Sequence, residues 1–169
     1  ELDQWMLSVY ASTVEQCTSL LDDYDPTPAG RSIQTMMIDQ VSNWYVRRSR
    51  RRFWKGDMTE DKKAAYDTLF EVLLGTAKLM APIAPFYAEW MYDRLSTYTT
   101  EAMHDSVHLS SWPDAASMQS NQDLMLKMHV AQRLSSMVLG IRKAEKIRVR
   151  QPLSRILVPL SNEVTSELM

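Results

Sequence analysis

The cationic side chains of this chain are concentrated in one short stretch. Residues 47–55 hold six of its nineteen lysines and arginines and no acidic residue, although the whole chain has a formal charge of −2. The six are Arg47, Arg48, Arg50, Arg51, Arg52 and Lys55. Phe53 and Trp54 lie inside the same stretch, which is called the basic segment below. Because guanidinium groups neutralise phosphates and aromatic rings stack on unpaired bases, the basic segment predicts binding of single-stranded RNA or another polyanion.

A second group of cations lies near the C-terminus. It consists of Arg142, Lys143, Lys146, Arg148, Arg150 and Arg155. Cations at the end of a helix stabilise its macrodipole, so a capping role and a role in RNA binding both remain open for this group. We include Arg148 and Arg150 in the predicted RNA-binding surface.

Residues typical of catalytic or metal sites are few and poorly spaced. His104 and His108 are four residues apart, but they lie in a predicted loop, where that spacing does not place them on one face. The single cysteine, Cys17, excludes a disulfide framework and a cysteine-rich zinc site, and it favours a reducing compartment. Neither a GxSxG motif nor a glycine-rich phosphate loop is present. The sequence therefore predicts no active site and no bound metal.

The elements that must position the basic segment are predicted to be helices. The chain has only four glycines, and its apolar residues recur mainly at helical spacing. Apolar runs and capping residues predict five helices, near residues 2–23, 28–49, 60–81, 85–95 and 122–146. Thr59 is expected to cap the third helix, with Asp61 in its first turn, where the helix dipole favours an anion. The apolar runs are shorter than the roughly 20 residues that a membrane span needs. We therefore expect an all-α bundle of about five helices.

The C-terminal part of the chain has a different pattern. Residues 147–149 and 156–158 are predicted to be strands, and residues 107–109 a short extended piece. We therefore predict a helical domain over residues 1–146 and the start of a strand-containing module or linker over residues 147–169. The chain begins with a glutamate rather than a methionine, and we interpret it as a piece of a longer protein.

The second predicted helix leads directly into the basic segment. Turning that helix at 100° per residue places Arg47, Arg51 and their neighbouring cations on the same side as its apolar stripe. Unpaired cations are not stable in an apolar core, so the basic segment must lie at one end of the bundle. We expect the helix to end near Ser49 and the chain to turn towards Gly56.

Several stretches of the chain resemble isoleucyl-tRNA synthetases. The most specific is NWYVRRSRRRFW at residues 43–54, which contains most of the basic segment. The resemblance continues, in the same order, through DQWMLS (3–8), DDYDPTPAGRSIQ (22–34), AKLMAPIAPF (77–86), SVHLSSWP (106–113) and KIRVRQPL (146–153). It therefore covers nearly the whole chain.

This resemblance implies an anticodon-binding domain of the class I type, a helical bundle that grips the anticodon stem-loop of isoleucine tRNA. The full enzymes are cytoplasmic ligases that join isoleucine to tRNA using ATP and Mg²⁺, but their HIGH and KMSKS motifs are absent from these residues. We therefore expect this segment to bind tRNA and the rest of a synthetase chain, without a cofactor, catalysis or membrane contact of its own. The predicted RNA-binding residues are Arg47, Arg48, Arg50, Arg51, Arg52, Phe53, Trp54, Lys55, Arg148 and Arg150.

Three alternatives remain at this stage. An acidic protein partner would also attract the basic segment, so a helical protein-interaction module is possible. The equivalent domain of a valine or leucine synthetase would share the helical frame. Phe53 and Trp54 either stack on bases or pack between the second and third helices, whereas Trp44 and Tyr45 are assigned to the core.

Overall fold

The computed structural model describes residues 1–99 and 103–158. The chain divides into two compact units, Glu1–Ser120 and Asn121–Met169, and each is described by itself. The described ranges contain six α-helices and no β-strand, which confirms the all-α prediction. No helix in these ranges has the length and apolar character that crossing a membrane would require.

The first unit is built from five helices. They are α1 (Leu2–Asp22), α2 (Pro26–Thr35) with a π-helical continuation (Met36–Val46), α3 (Arg50–Trp54), α4 (Glu60–Met80) and α5 (Pro85–Ser96). The Oγ1 of Thr59 accepts a hydrogen bond from the backbone N–H of Lys62 at 3.2 Å, which confirms the predicted cap of α4. The predicted start of α2 was two residues late, because Pro26 occupies the first helical position.

The helix that leads into the basic segment ends near Ser49 as expected, but a short helix, α3, follows it instead of a turn. The backbone N–H of Ser49 donates to Tyr45 at 2.9 Å, and that of Phe53 donates to Ser49 at 3.1 Å, so helical bonding continues into α3. The preceding stretch, Met36–Val46, is a π-helix. A π-helix closes its bonds from residue i to i+5 and turns less per residue, so an extrapolation at 100° per residue misplaced the side chains that follow.

The core of the first unit lies where α1 contacts α2, its π-helical continuation and α4. At the closest approach of α1 to α4, a side chain at Gly75 would overlap the hydroxyl of Tyr10. Burial raises the pKa of Tyr10. The buried apolar residues of α1 are Trp5, Met6, Tyr10, Ala11, Val14 and Cys17.

A second cluster of buried residues joins α4 and α5 to the following loop. It contains Ala77, Ala88, Tyr92 and Val107. The extended piece expected at residues 107–109 is wrong, since Val107–Leu109 is a 3₁₀ turn. The Oγ of Ser106 accepts from the backbone N–H of His108 at 3.2 Å and donates to Glu89 at 2.9 Å, and these bonds fold the loop locally.

The loop then returns to α1. The indole N–H of Trp112 donates to the Oγ1 of Thr18 at 2.8 Å. A second 3₁₀ turn, Ala115–Ser117, follows this contact. Trp112 therefore fixes the end of the first unit on the helix that forms its core.

The second unit contains α6 (Gln122–Ala144), whose N-terminus is capped by the side chain of Asn121. The strands expected at residues 147–149 and 156–158 are wrong, because these residues form turns and irregular structure. Arg142 Nη1 donates to the carbonyls of Arg148 (2.8 Å), Val149 (3.3 Å) and Gln151 (2.9 Å). One side chain thus satisfies carbonyls that a strand would have paired with a neighbour. Residues 159–169 lie outside the described ranges, and the predicted boundary after residue 146 stays a prediction.

Candidate nucleic-acid interface

The basic segment lies at the end of the first unit where α1 and α4 begin. The guanidinium of Arg52 contacts Asp3, in the first turn of α1, and Asp61, in the first turn of α4. These two contacts fix the segment across the start of both helices. The prediction that the cations lie at one end of the bundle is therefore confirmed.

Arg52 is the one member of the basic segment that the structure shows in ion pairs within the described residues. Its Nη1 and Nη2 donate to the two carboxylate oxygens of Asp3, both at 2.8 Å. Its Nε donates to the carboxylate of Asp61 at 2.9 Å, and Nη2 also donates to the Asp61 carbonyl at 2.7 Å. The side chain is 20% exposed. Arg52 is thus occupied by contacts inside the protein, and we interpret it as an anchoring residue rather than an RNA contact.

The hydroxyl of Tyr45 completes this arrangement. It donates to Asp3 at 2.6 Å and lies 3.2 Å from the carbonyl oxygen of Ala65 on α4. The hydrogen bond from Arg52 holds the pKa of Asp3 below its ordinary value, and burial raises the pKa of Tyr45. The same bond to Asp3 raises the pKa of Arg52, so the pair stays charged. Asp3, Tyr45, Arg52 and Asp61 are called the anchoring network below.

Phe53 belongs to the core rather than to the surface. Only 8% of it is exposed. Its ring meets those of Tyr45 and Tyr66 edge to face, with centroids 6.3 Å and 5.1 Å away. A base cannot stack on a ring that is enclosed in this way, so we interpret Phe53 as a packing residue, the second of the two roles considered for it.

The remaining cations of the basic segment are exposed to solvent. Arg47, Arg48, Arg50, Arg51 and Lys55 are all exposed, and they are called the exposed cations below. No carboxylate within residues 1–99 and 103–158 forms an ion pair with any of them. Five uncompensated positive charges within nine residues make this end of the unit strongly attractive to polyanions.

Two tryptophans lie among the exposed cations. The guanidinium of Arg48 is 5.6 Å from the ring centroid of Trp44, and that of Arg50 is 5.8 Å from the ring centroid of Trp54. Both distances fall within the range of cation–π attraction. Trp54 is 68% exposed and offers a ring face to a partner, whereas Trp44 is half-buried. The interface therefore combines point charges with one available stacking surface.

The second cationic group divides in two. Arg142 is half-buried and organises the turn after α6, as a residue that caps a helix end does. Arg148 and Arg150 are exposed, and both belong to the second unit. Among residues 1–99 and 103–158, neither side chain has a hydrogen bond or ion pair, and their predicted contact with RNA stays a prediction.

The histidines form no site with one another. His104 and His108 are both exposed. Across the described part of the chain, no group of three or more side chains could hold a metal ion.

Asp3 and Asp61 are the functional residues that the sequence did not reveal. Asp3 is 49 residues from Arg52 and Asp61 is nine residues from it. Asp61 was expected only to favour the helix dipole at the start of α4, which it does in addition to binding Arg52. A pairing over 49 residues leaves no periodic signal in one sequence.

Comparison with known proteins adds three findings. A family described as "Anticodon-binding domain of tRNA ligase" matches residues 3–157. The isoleucine–tRNA ligase of Cytophaga hutchinsonii is 48% identical over 160 residues, which are 95% of this chain and 14% of that protein. The isoleucine–tRNA ligases of Porphyromonas gingivalis and Thermus thermophilus are 46% and 35% identical, over 94% of this chain and 14% and 15% of their own lengths. The chain thus spans about 14% of the length of the curated relatives that it matches.

Proposed function

The chain belongs to the family of anticodon-binding domains of tRNA ligases, and from this premise we propose that its basic end grips the anticodon stem-loop of isoleucine tRNA. The family match favours RNA over the acidic protein partner that charge alone left open. The relatives reported above are isoleucine–tRNA ligases, which favours isoleucine over valine or leucine.

The exposed cations supply the electrostatic part of this binding. Each cation that neutralises a phosphate of single-stranded RNA releases a counterion, so the logarithm of the affinity falls with the logarithm of the salt concentration by about 0.7 per phosphate. Full use of all five would give a slope of about −3.5. Such contacts orient the RNA but do not read its sequence.

Trp54 supplies the stacking part. A loop base that is splayed out of the anticodon can lie on its exposed face, a contact that contributes roughly 1–3 kcal/mol. The neighbouring guanidinium of Arg50 lies at 5.8 Å from this ring and can meet a phosphate of the same nucleotide. Base stacking and phosphate binding are therefore available at adjacent points of one helix.

The anchoring network makes the interface rigid before RNA arrives. Arg52 and Tyr45 fix the helix that carries the exposed cations to the starts of α1 and α4. A surface that is already ordered loses less entropy on binding. The main support for the proposal is that Arg52 is held by contacts inside the protein, whereas the exposed cations beside it face solvent.

The parent protein is proposed to be a cytoplasmic, ATP-dependent isoleucine–tRNA ligase, to whose other parts this domain is joined. The described ranges contain no group of three or more side chains that could hold a metal ion, and the HIGH and KMSKS motifs lie outside these residues. We therefore place ATP, Mg²⁺ and the ligation chemistry in the remainder of the parent protein, and tRNA binding in this domain.

Footprinting of isoleucine tRNA tests the proposal. The parent ligase is expected to protect the anticodon loop from hydroxyl radicals, and a variant with Arg50→Ala and Arg51→Ala is expected to lose that protection. Arg31→Ala, which removes an exposed arginine of α2 outside the basic segment, is the control and should keep it. Protection of the anticodon loop that survives the double substitution would refute the assignment.

A further inference from the structure

The turn that follows α6, in the second unit, is organised by one arginine. Nη1 of Arg142 donates to the carbonyls of Arg148, Val149 and Gln151, at 2.8, 3.3 and 2.9 Å. The backbone N–H of Gln151 also donates to the carbonyl of Arg148 at 3.0 Å, which closes a β-turn. Residues 148–151 are called the C-terminal turn below. Because three of its carbonyls converge on one guanidinium, the C-terminal turn has a defined shape.

The backbone just before the C-terminal turn bends at a lysine. The N–H of Ile147 donates to the carbonyl of Arg142 at 2.8 Å, so the chain folds back where α6 ends. Lys146 has a φ of 54°, in the left-handed region. Glycine is the residue that usually occupies such a position, because a side chain costs free energy there. A lysine in place of a glycine indicates that its side chain has a role of its own.

Positive charge is concentrated around the C-terminal turn. Residues 142–155 contain six cations and one acidic residue, Glu145. Lys146, Arg148 and Arg150 are exposed, and they are called the turn cations below. Among residues 1–99 and 103–158, no carboxylate forms an ion pair with any of them. Like charges at this spacing repel one another, and such a cluster marks a surface for an anionic partner.

The dipole of α6 does not account for the turn cations. A helix dipole favours positive charge in the last turn of the helix, where Arg142 and Lys143 lie. α6 ends at Ala144, and all three turn cations come after it. The effect of the dipole falls off within that last turn. The charge of the turn cations therefore needs an explanation outside the helix.

The surface at the C-terminal turn offers charge without a ring for stacking. Residues 142–158 contain no phenylalanine, tyrosine or tryptophan. Guanidinium groups bind phosphate oxygens, whereas unpaired bases are bound mainly by aromatic rings. The surface therefore suits the sugar–phosphate backbone of an RNA rather than its bases. It differs in this respect from the basic segment, where the ring of Trp54 is exposed.

We propose that the C-terminal turn is a second phosphate-binding surface for tRNA, and that Arg142 is the positioning residue that holds it in shape. The inference rests on the proposed function, because it is the family match that selects tRNA among polyanions. Arg142 is half-buried and bound to carbonyls, while the turn cations are exposed. The basic segment has the same arrangement, since Arg52 is held inside the protein and its neighbours are exposed.

The salt dependence of binding between the parent ligase and whole isoleucine tRNA tests this surface. Arg148→Gln with Arg150→Gln removes two phosphate contacts and should make the slope of log affinity against log salt shallower by about 1.4. Both side chains are exposed, so the fold should be kept. The control of equal charge is Arg31→Gln with Arg133→Gln, one exposed arginine from each unit, and it should leave the slope unchanged.

An unchanged slope in the Arg148→Gln and Arg150→Gln variant would overturn the proposal. The anionic partner of the C-terminal turn would then have to be something other than tRNA, such as an acidic protein.

A double-mutant cycle tests the positioning role of Arg142. Arg142→Gln should weaken tRNA binding by about fivefold, because the C-terminal turn loses its shape. In the background of Arg148→Gln with Arg150→Gln, the same substitution should cause no further loss, since the phosphate contacts are already absent. Equal losses in both backgrounds would show that Arg142 binds phosphate itself or only stabilises α6, and would overturn its positioning role.

Footprinting separates this surface from the proposed anticodon contact. Arg148→Gln with Arg150→Gln should keep the protection of the anticodon loop that Arg50→Ala with Arg51→Ala removes. Loss of that protection in both variants would contradict a second, independent surface. If the wild type leaves the anticodon loop unprotected while the salt slope still responds to Arg148 and Arg150, the proposed anticodon contact fails and the C-terminal turn remains a tRNA-binding surface.

Discussion

The two ends of the first unit both expose aromatic rings, but they surround those rings with opposite chemistry. At the basic end, the exposed ring of Trp54 lies beside Arg50 and four further exposed cations. At the other end, Phe86 and Trp90 are exposed on α5, in a stretch (residues 81–93) that contains no lysine or arginine and is followed by the exposed Arg94. The charge around an exposed ring, rather than its exposure alone, therefore distinguishes the end that we propose for RNA from the apolar end.

The same contrast occurs on a smaller scale inside the basic segment. Arg51 and Arg52 are neighbours in the sequence and identical in type. Arg51 is exposed, whereas Arg52 makes four hydrogen bonds to two aspartates. One arginine is available to RNA and the other stabilises the protein, so substitutions at the two positions should have different consequences.

Charge reversal at the basic end is expected to have the largest effect. Arg50→Glu with Arg51→Glu should weaken binding of an anticodon hairpin of isoleucine tRNA by about 100-fold, or about 2.7 kcal/mol. Stability should change by less than about 0.5 kcal/mol, because both side chains are on the surface. Fluorescence anisotropy and urea unfolding measure the two quantities.

The matched control reverses two exposed arginines outside the basic segment, Arg31→Glu and Arg94→Glu. It makes the same change in net charge and should alter hairpin affinity by less than threefold. Equal losses in both variants would mean that overall charge, rather than the basic end, governs binding.

Removal of Arg52 is expected to have the next largest effect, and on stability rather than on RNA. Arg52→Ala leaves the carboxylates of Asp3 and Asp61 without their partner and should lower the free energy of unfolding by about 2 kcal/mol. Arg51→Ala is the control and should leave the free energy of unfolding unchanged within about 0.5 kcal/mol. Urea unfolding at neutral pH measures the free energy of unfolding of both variants. Equal values for Arg52→Ala and Arg51→Ala would contradict the anchoring role of Arg52.

Truncation of Trp54 tests whether the two exposed aromatic sites differ in their contribution to RNA binding. Trp54→Ala should weaken hairpin binding by about tenfold, or about 1.4 kcal/mol, because a stacked base loses its platform. Phe86→Ala removes an even more exposed ring at the apolar end and should leave hairpin affinity unchanged. If both substitutions weaken binding alike, the division of the unit into two ends is wrong.

The smallest expected effect is a dependence of the free energy of unfolding on pH in the acid range. The pKa of Asp3 is lowered in the folded protein, mainly by Arg52, so its carboxylate stabilises the fold above the ordinary aspartate pKa. That contribution is lost as the pH falls through the lowered value, which is below about 3.9. The difference in free energy of unfolding between the wild type and Asp3→Asn should therefore become smaller as the pH is lowered. A difference that stays constant from neutral to acid pH would contradict the ion pair.

Local signals in the sequence predicted most of the helices and the placement of the basic segment. The Thr59 cap and the apolar spacing of α4 depend on residues a few positions apart, and both were confirmed. The pairing of Arg52 with Asp3 could not be predicted in this way, because it joins residues 49 positions apart.

The errors have physical causes of two further kinds. The π-helical turns of Met36–Val46 rotated the side chains that follow, which places Phe53 in the core and Arg51 outside. The apolar residues at 147–149 suggested a strand, but Arg142 satisfies the backbone there instead. In each case a contact or a change of helical geometry outweighed the intrinsic preference of the residues.

The salt dependence of hairpin binding tests the central claim most directly. Three variants of the parent ligase are compared with the wild type: Arg50→Gln with Arg51→Gln, Arg52→Gln, and Arg31→Gln. The double variant should make the slope of log affinity against log salt shallower by about 1.4, while Arg52→Gln and Arg31→Gln leave it unchanged. A slope that is the same in the double variant as in the wild type would show that the exposed cations do not meet phosphate.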